Sequence, residues 1–463
     1  MLRKGLKTFI FLGASSAMLM VAPAIASAET LADALVSAYR NSNLLEQNRA
    51  TLRAADEDVA QAVAALRPVI QWTADYSLQH TNISPTTGGS VTSRVASTTL
   101  GASMTLLSFG RNSIAVEMKK ETVLATREAL RSIEQQVLLS AIQAYSDVKS
   151  ASEQVAINQN SVRVLSQELK ASNDRFEVGE VTKTDVSLAQ AQLASARASL
   201  ASAEGNQRTA RESFKAATGH YPKNLAAFPK APTLPKSLDA ARAIALRSQP
   251  TIKQLQHTVT VYDLGVSLAK ANRMPKVTGT VGFGLDEGGV RGTSANIGMS
   301  QTLYAGGGLI SGQRQAIANA QAARAQLSQA GVTVTQGVGN AWAAIDIARA
   351  QITAYDQQIR AARTAYNGVK EEALLGARTT LDVLSAEQDL LDAQAGRINA
   401  AATLQVAYYQ LLSAMGLLTV ENLKLGIPTY DPAAYYNAVH NAPITLSPQG
   451  KRLDRVLQAI GQN

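Results

Sequence analysis

Two short motifs carry the residues best placed to do chemistry: Thr182-x-x-Asp185 and Thr379-x-x-Asp382, each just after a glycine, Gly179 or Gly376. A threonine followed three residues later by an acid is the capping-box pattern. The hydroxyl accepts from a free N–H of a helix's first turn, and the acid reaches back to the threonine N–H. The acid also lies at the positive end of the helix dipole. The chemistry on offer is therefore fixed negative charge at two helix starts. Arg378, between Gly376 and the second start, opposes that dipole, so a carboxylate partner is expected for it.

Other chemistry finds no residues to rest on. His80, His220, His257 and His440 are scattered without metal-ligand spacing. There is no cysteine, which removes disulfides, thiolate metal sites and cysteine nucleophiles together, and also the lipid-anchor cysteine of bacterial lipoproteins. Gly282-x-Gly284 and Gly306-Gly307-Gly308 lack the Lys-Ser/Thr of a phosphate loop or a βαβ setting; the triple glycine fits a tight strand-to-helix return. No Ser/His/Asp set or carboxylate pair can be assigned, so neither enzyme activity, cofactor nor metal is expected. The net charge of +9 includes Arg3, Lys4 and Lys7 and is otherwise spread along the chain, so no nucleic-acid partner is expected.

The elements that position the two motifs come in duplicate. Leu31 to Pro68 maps onto Leu238 to Pro275 at one constant offset, pairing Arg40 with Arg247 and Pro68 with Pro275. From Gly101 a second constant offset pairs Leu106 with Leu303, Tyr145 with Trp342, Gly179 with Gly376 and Asp185 with Asp382. The length change falls between His80 and Arg94, against Asp286 to Thr293, where Gly, Ser, Thr and Pro mark loop tips. A repeat on this scale is one supersecondary unit duplicated, not a short-period solenoid.

Each copy reads as helix, two strands, long helix, turn, helix. One apolar stripe runs Val334, Val338, Ala341, Ile345, Ala348, Ile352, Tyr355, Ile359, Ala362, Tyr366, Val369, alternating steps of four and three. The first copy has its counterpart from Val137 to Phe176. A 3.5-residue period means coiled-coil packing, and the many alanines allow close approach. Residues 112–178 and 309–375 would each span roughly 100 Å as helices. Flanking helices near 31–66 and 182–218 are about half as long, so two stacked end to end match one long helix.

At the N-terminus, residues 1–28 read as a cleavable export signal: a basic start, an apolar run from Phe9 to Ala22, and Ala26-Ser27-Ala28. Behind it lie a first repeat at 29–218, a linker at 219–236 with four prolines, a second repeat at 237–416, and a tail at 417–463 expected to pack as small equatorial elements. No later run is apolar enough for a membrane helix, so any crossing must use strands.

The strands fit that role. Near 69–80, Ile70, Trp72, Ala74, Tyr76 and Leu78 alternate with Gln71, Thr73, Asp75, Ser77 and Gln79; segments near 95–107, 276–285 and 294–304 alternate likewise. Such alternation puts one face in oil and one in water. A soluble sheet under helices would alternate too, but the heptad helices already satisfy each other. Trp72, Tyr76 and Tyr304 suit either interface aromatics or ordinary packing. Four strands cannot close a barrel, and open edges are not tolerated in lipid, so the membrane reading requires copies to assemble. Two copies give eight strands with a filled interior; three give twelve and room for a pore.

Along essentially the whole mature chain the sequence resembles the TolC family of outer-membrane efflux and secretion channels. The resemblance rests on the duplicated unit with Pro68 and Pro275 at the helix-to-strand turns, on Val178-Gly179-x-x-Thr182-x-Thr184-Asp185-Val186, and on Leu375-Gly376-Ala377-Arg378-Thr379-x-x-Asp382-Val383-Leu384. Tyr430 to Asn437 looks like the family's secretion-type members. The resemblance implies a mainly α fold with a small β portion: a homotrimer with a twelve-strand barrel in outer-membrane lipid and a twelve-helix coiled-coil tunnel across the periplasm. It further implies docking through a periplasmic adaptor (membrane fusion) protein onto an inner-membrane transporter, without catalytic chemistry. The family's tip closes by polar links, whose matching positions are Thr184, Asp185 and Arg378, with Asp382 at an acidic ring. Ala373 stands where some members have a linking tyrosine, and Ser385 where some have a second acidic ring, so a gate held by fewer links is expected. The competing expectation is a periplasmic coiled-coil spacer or adaptor without a pore.

Overall fold

The computed structural model describes residues 28–83, 89–286, 289 and 291–461. The expected export signal lies outside them except for Ala28, as do residues 84–88, 287, 288 and 290 of the two strand loops. The first copy runs α1 (Leu31–Asn41), α2 (Asn43–Ala64), β1 (Val69–Ile83), β2 (Gly89–Leu107), α3 (Arg111–Glu177) and α4 (Lys183–Thr218). The second runs α5 (Leu238–Ser248), α6 (Pro250–Ala271), β3 (Lys276–Asp286), β4 (Arg291–Ser300), α7 (Gly308–Leu374) and α8 (Thr380–Ala414). Both long helices have 67 residues, roughly 100 Å. The tail adds α9 (Pro432–Val439) and α10 (Pro448–Gly461).

The first helix of each copy is two helices, not one as the periodicity suggests. In copy one, Ser42 leaves the helical conformation and its hydroxyl accepts from the Leu45 N–H at 3.3 Å, capping α2. In copy two, Pro250 opens α6 and holds Gln249 extended at ψ 121°, because proline's ring disfavours the helical region for the residue before it.

The four strands form one antiparallel sheet in the order β1-β2-β3-β4. Its register brings apolar residues of neighbouring strands side by side near the base of the sheet. Trp72 faces Leu100, which faces Phe283; Ile70, Ala102 and Val281 form the next row. The opposite face carries Gln71, Gly101, Gly282 and Ser294, then Thr73, Thr99 and Gly284. Nothing among the described residues covers the apolar face: Ile70, Trp72, Ile297 and Met299 are each at least 70% exposed. The first hairpin extends further than expected, to Ile83 and from Gly89, whereas β4 stops at Ser300. Tyr304 therefore lies in the strand-to-helix turn, not in a strand. There Gly306 and Gly307 take left-handed φ of 58° and 86°. The equivalent turn of copy one puts Phe109 and Gly110 at 50° and 83°, with a bulky residue accepting the strain once.

The main core sits halfway along the long helices. Tyr145, Leu138, Phe214, Val338, Ile345, Leu411 and Met415 belong to one buried cluster drawn from both copies. The Tyr145 hydroxyl lies 3.2 Å from the Glu29 carbonyl and 2.9 Å from that of Ala226. Thus the proline-rich linker is more than a tether: it clasps Glu29, whose N–H donates to the Asn224 carbonyl at 2.7 Å and whose carboxylate meets His220 at 2.8 Å. Below this waist, towards the α3–α4 and α7–α8 turns, the buried apolar cluster shrinks to Leu165, Leu193 and Leu384.

Asp56 of α2 is fully buried between Leu52 and Val59, with neither oxygen hydrogen-bonded among the described residues. Burial pushes its pKa up from 3.8 to about 6, against the pull of the Arg127 guanidinium, and Glu57 adds to the rise. The folded chain then holds the proton more tightly than the unfolded one, so stability falls as pH rises from 3.8 to about 6. A shift of this size corresponds to about 3 kcal/mol at most. Asp56→Asn is expected to flatten that part of the profile of thermal midpoint against pH; an unchanged slope would contradict it.

Candidate functional site

Both motif pairs sit where a long helix turns back into a half-length one. At the end of α3, Gly179 adopts φ 80°, and the Glu180 N–H reaches the Arg175 carbonyl at 2.9 Å. At the end of α7, Gly376 adopts φ 78°, and the Ala377 N–H reaches the Glu372 carbonyl at 2.9 Å. Glycine is needed because the closing turn requires a left-handed residue.

Two residues after Glu180 and Ala377 the next helix is capped. The Asp185 N–H donates to the Thr182 hydroxyl at 3.3 Å, and the Thr182 N–H donates back to Asp185 Oδ2 at 2.9 Å. Thr379 and Asp382 repeat this at 3.2 and 2.9 Å. Thr30 and Asp33 build the same box at the start of α1, so the box itself is a structural device rather than a mark of function.

Electrostatics distinguish the tip. The Thr182 hydroxyl and then its N–H hold the Asp185 carboxyl below its ordinary value. For Asp382 the Thr379 N–H is the larger influence, then the hydroxyl, with Arg378 contributing. Both acids therefore keep their charge near neutral pH, and in each only Oδ2 is tied to the cap. Arg378 has the expected carboxylate partner, but it is Glu372 of its own turn, at 2.8 Å. Within the chain Arg378 makes no bond to Thr184 or Asp185 among the described residues. Thr184 is exposed in the first turn of α4, and Ser385 is exposed one turn beyond Asp382.

The fold reveals links that the sequence does not announce. Ser161 of α3 donates to Glu387 of α8 at 2.8 Å in a buried site, where burial pushes the Glu387 carboxyl up. Nearer the tip Lys370 of α7 meets Glu168 of α3 at 2.7 Å. A cavity of about 210 Å³ lies beside this pair, with Ala373 in its wall. A small residue at 373 leaves this space open, and the lysine–glutamate pair bridges α3 and α7 next to it. Glu387 has one sequence signal, a charge four residues after the buried Val383; Lys370 and Glu168 have none, because neither repeats in the other copy.

At the other end, Pro68 and Pro275 occupy the matching turns into β1 and β3. Arg111 ties the second of these turns, donating to the Ala271 and Met274 carbonyls at 3.2 and 3.1 Å. Trp72 and Tyr76 project from the apolar face, about 70% exposed, and the indole N–H donates to Thr98 at 2.8 Å. Tyr304 is exposed at the base of the sheet. No helix among the described residues is long and apolar enough to cross a membrane. Nor do the described residues gather three His, Asp or Glu side chains into a metal site.

A sheet with one uncovered apolar face, continued by long coiled coils that end in a charged tip, defines an outer-membrane channel subunit. The family model for outer membrane efflux proteins matches residues 34–220 and 242–417, so the chain belongs to that family. The outer membrane efflux protein BepC of Brucella suis is 33% identical over 425 residues, 89% of this chain and 91% of that protein. The alkaline protease secretion protein AprF of Pseudomonas aeruginosa is 26% identical over 65% of this chain and 66% of its own length. Among solved structures, the Campylobacter jejuni CmeC outer membrane channel superposes with a TM-score of 0.75 at 17% identity, covering 90% of each chain. The chain is an outer-membrane export channel protein. A spacer without a pore has no use for the uncovered strand face.

Two tip links are predicted to differ in strength. Ser161→Ala leaves a buried carboxylate without its donor and should cost about 1–3 kcal/mol. Lys370→Met removes a partly solvated ion pair and should cost no more than about 1 kcal/mol. Thermal unfolding in detergent checks the order; a larger loss for Lys370→Met would reverse the assignment.

Proposed function

We propose that three copies of this chain form one passive conduit, with no catalytic chemistry of its own. It would couple through a periplasmic adaptor (membrane fusion) protein to an inner-membrane transporter, which selects the cargo. The carrying observation is the four-stranded sheet, whose apolar face is bare and whose edges, β1 and β4, have no outer partner among the described residues. Eight strands from two copies would leave an interior filled by side chains; twelve from three leave room for a pore. Outer-membrane lipid then covers the apolar rows. Likeness to both an efflux protein and a protease secretion protein supports a duct usable for efflux or type I secretion, and the tail from Tyr430 to Asn437 favours the secretion type.

On this reading the chain divides into an export signal at 1–28, repeats at 29–218 and 237–416, the linker at 219–236 and the tail at 417–463. Thr184, Asp185, Arg378 and Asp382 form the periplasmic gate. Among the described residues Arg378 bonds Glu372 alone, and it keeps donors for an acid on a neighbouring copy's tip, where Thr184 and Asp185 offer acceptors. Three Asp382 carboxylates make an acidic mouth that binds cations. The thin apolar packing towards the tip lets the α7–α8 pair shift against α3 and α4 once these polar links break.

Single-channel conductance of the mature protein in a planar bilayer tests the reading. Small, long-lived openings blocked by divalent cations from the tip side are expected. Asp382→Ala should abolish the block, and Arg378→Ala should enlarge the openings. An unchanged block or unchanged conductance would remove these residues from the gate. A protein that stays soluble without detergent and never inserts would overturn the conduit itself.

A further inference from the structure

The tail forms a helical hairpin lying against α2. Along α9 the Tyr435 hydroxyl donates to Glu57 at 2.7 Å. Further along both helices, Arg67 donates to the carbonyls of Asn441 and Ala442 at 2.5 and 2.9 Å. Thus α9 and α2 run the same way, towards the sheet. The chain then turns and α10 runs back: Gln449 donates to the Ala438 carbonyl at 2.7 Å, and Arg452, Leu453 and Val456 line a groove with Arg53 and Tyr430. The turn between the helices, residues 440–447, is therefore the part of the tail nearest the strands. Its anchor, Arg67, stands two residues before Val69, where the sheet begins.

This turn carries apolar side chains where a water-facing turn carries polar ones. Ile444 is 62% exposed and Leu446 is 81% exposed. Their display is built, not slack. The Ala442 N–H donates to the Val439 carbonyl at 2.7 Å, and the Ser447 N–H to the Ile444 carbonyl at 2.8 Å. The Ser447 hydroxyl in turn accepts from the Gly450 N–H at 3.0 Å. Four extended residues reach at most about 14 Å, so Leu446 cannot stray far from the Arg67 anchor. The lipid-facing rows start at that level, with Ile70 exposed on the apolar face of β1.

We propose that the turn carrying Ile444 and Leu446 is a membrane contact, seating these side chains in the phospholipid of the periplasmic leaflet and extending the lipid-facing surface of the sheet. The tail then acts as a brace that fixes the height and tilt of the α2 side of each copy against the membrane. This rests on the barrel reading above.

The absence of cysteine permits single-site labelling of the full mature protein. Leu446→Cys, carrying an environment-sensitive fluorophore, is reconstituted into phospholipid vesicles with or without brominated acyl chains. Leu78→Cys on the exposed face of β1 serves as the lipid reference and Lys230→Cys in the linker as the water reference; Ile444→Cys replaces Leu446→Cys if that variant does not fold. Blue-shifted emission, quenched by brominated lipid as at position 78, is the expected result. Emission like that at position 230 overturns the proposal, as does a blue shift without lipid quenching, which would mean cover by protein. If the label at position 78 is also unquenched, the barrel reading falls and takes the proposal with it; loss at position 446 alone removes only the proposal.

Discussion

Backbone N–H and C=O groups cannot be left unpaired in hydrocarbon, and on the barrel reading the described residues of this chain supply four strands to it. Each unsatisfied group costs several kcal/mol, so β1 and β4 must find partners outside the chain. Everything else in the molecule is consistent with that need. The register keeps apolar rows on one face and Gly, Ser, Thr and Asn on the other, so the sheet can be wet on one side and oily on the other once closed. The turns at Phe109-Gly110 and Gly306-Gly307 lead each second strand into a long helix, so a closed sheet would continue as a helical wall.

The helices divide the work by height. Halfway along, both copies and the linker share one dense core around Tyr145, which fixes the two repeats to each other. Towards the tip the core thins and polar links take over: Ser161 with Glu387, Lys370 with Glu168, Arg378 with Glu372. Apolar packing is non-directional and resists sliding over a broad area, whereas the two partly solvent-exposed ion pairs among these links contribute little each and respond to pH, salt and partners. On the proposed reading, a rigid waist and a loosely tied tip suit a conduit that stays assembled while its far end opens.

Much of this was legible from the residues. The duplication, the heptad stripes and the strand alternation are local, periodic signals, and they set the fold class and the place of Asp185 and Asp382 at helix starts. What escaped is non-local. The break at Ser42 depends on a cap that a continuous apolar stripe conceals. β4 ends at Ser300 although apolar Leu303 and Tyr304 follow, because the glycine turn takes the chain out of the sheet. Ser161 and Glu387 lie in different repeats, and Lys370 and Glu168 have no counterpart in the other copy. Arg378 was expected to find a carboxylate, but which one only the folded turn could tell. The linker's grip on Glu29 and the hairpin in the tail likewise join segments that no sequence period relates.

The most direct test of the account is the number of chains that close the sheet, measured by native mass spectrometry of the mature protein released from detergent micelles. Three copies per particle are predicted, stable without any other protein. A stable monomer or dimer would leave strand edges open or the barrel filled, and would contradict the account at its root.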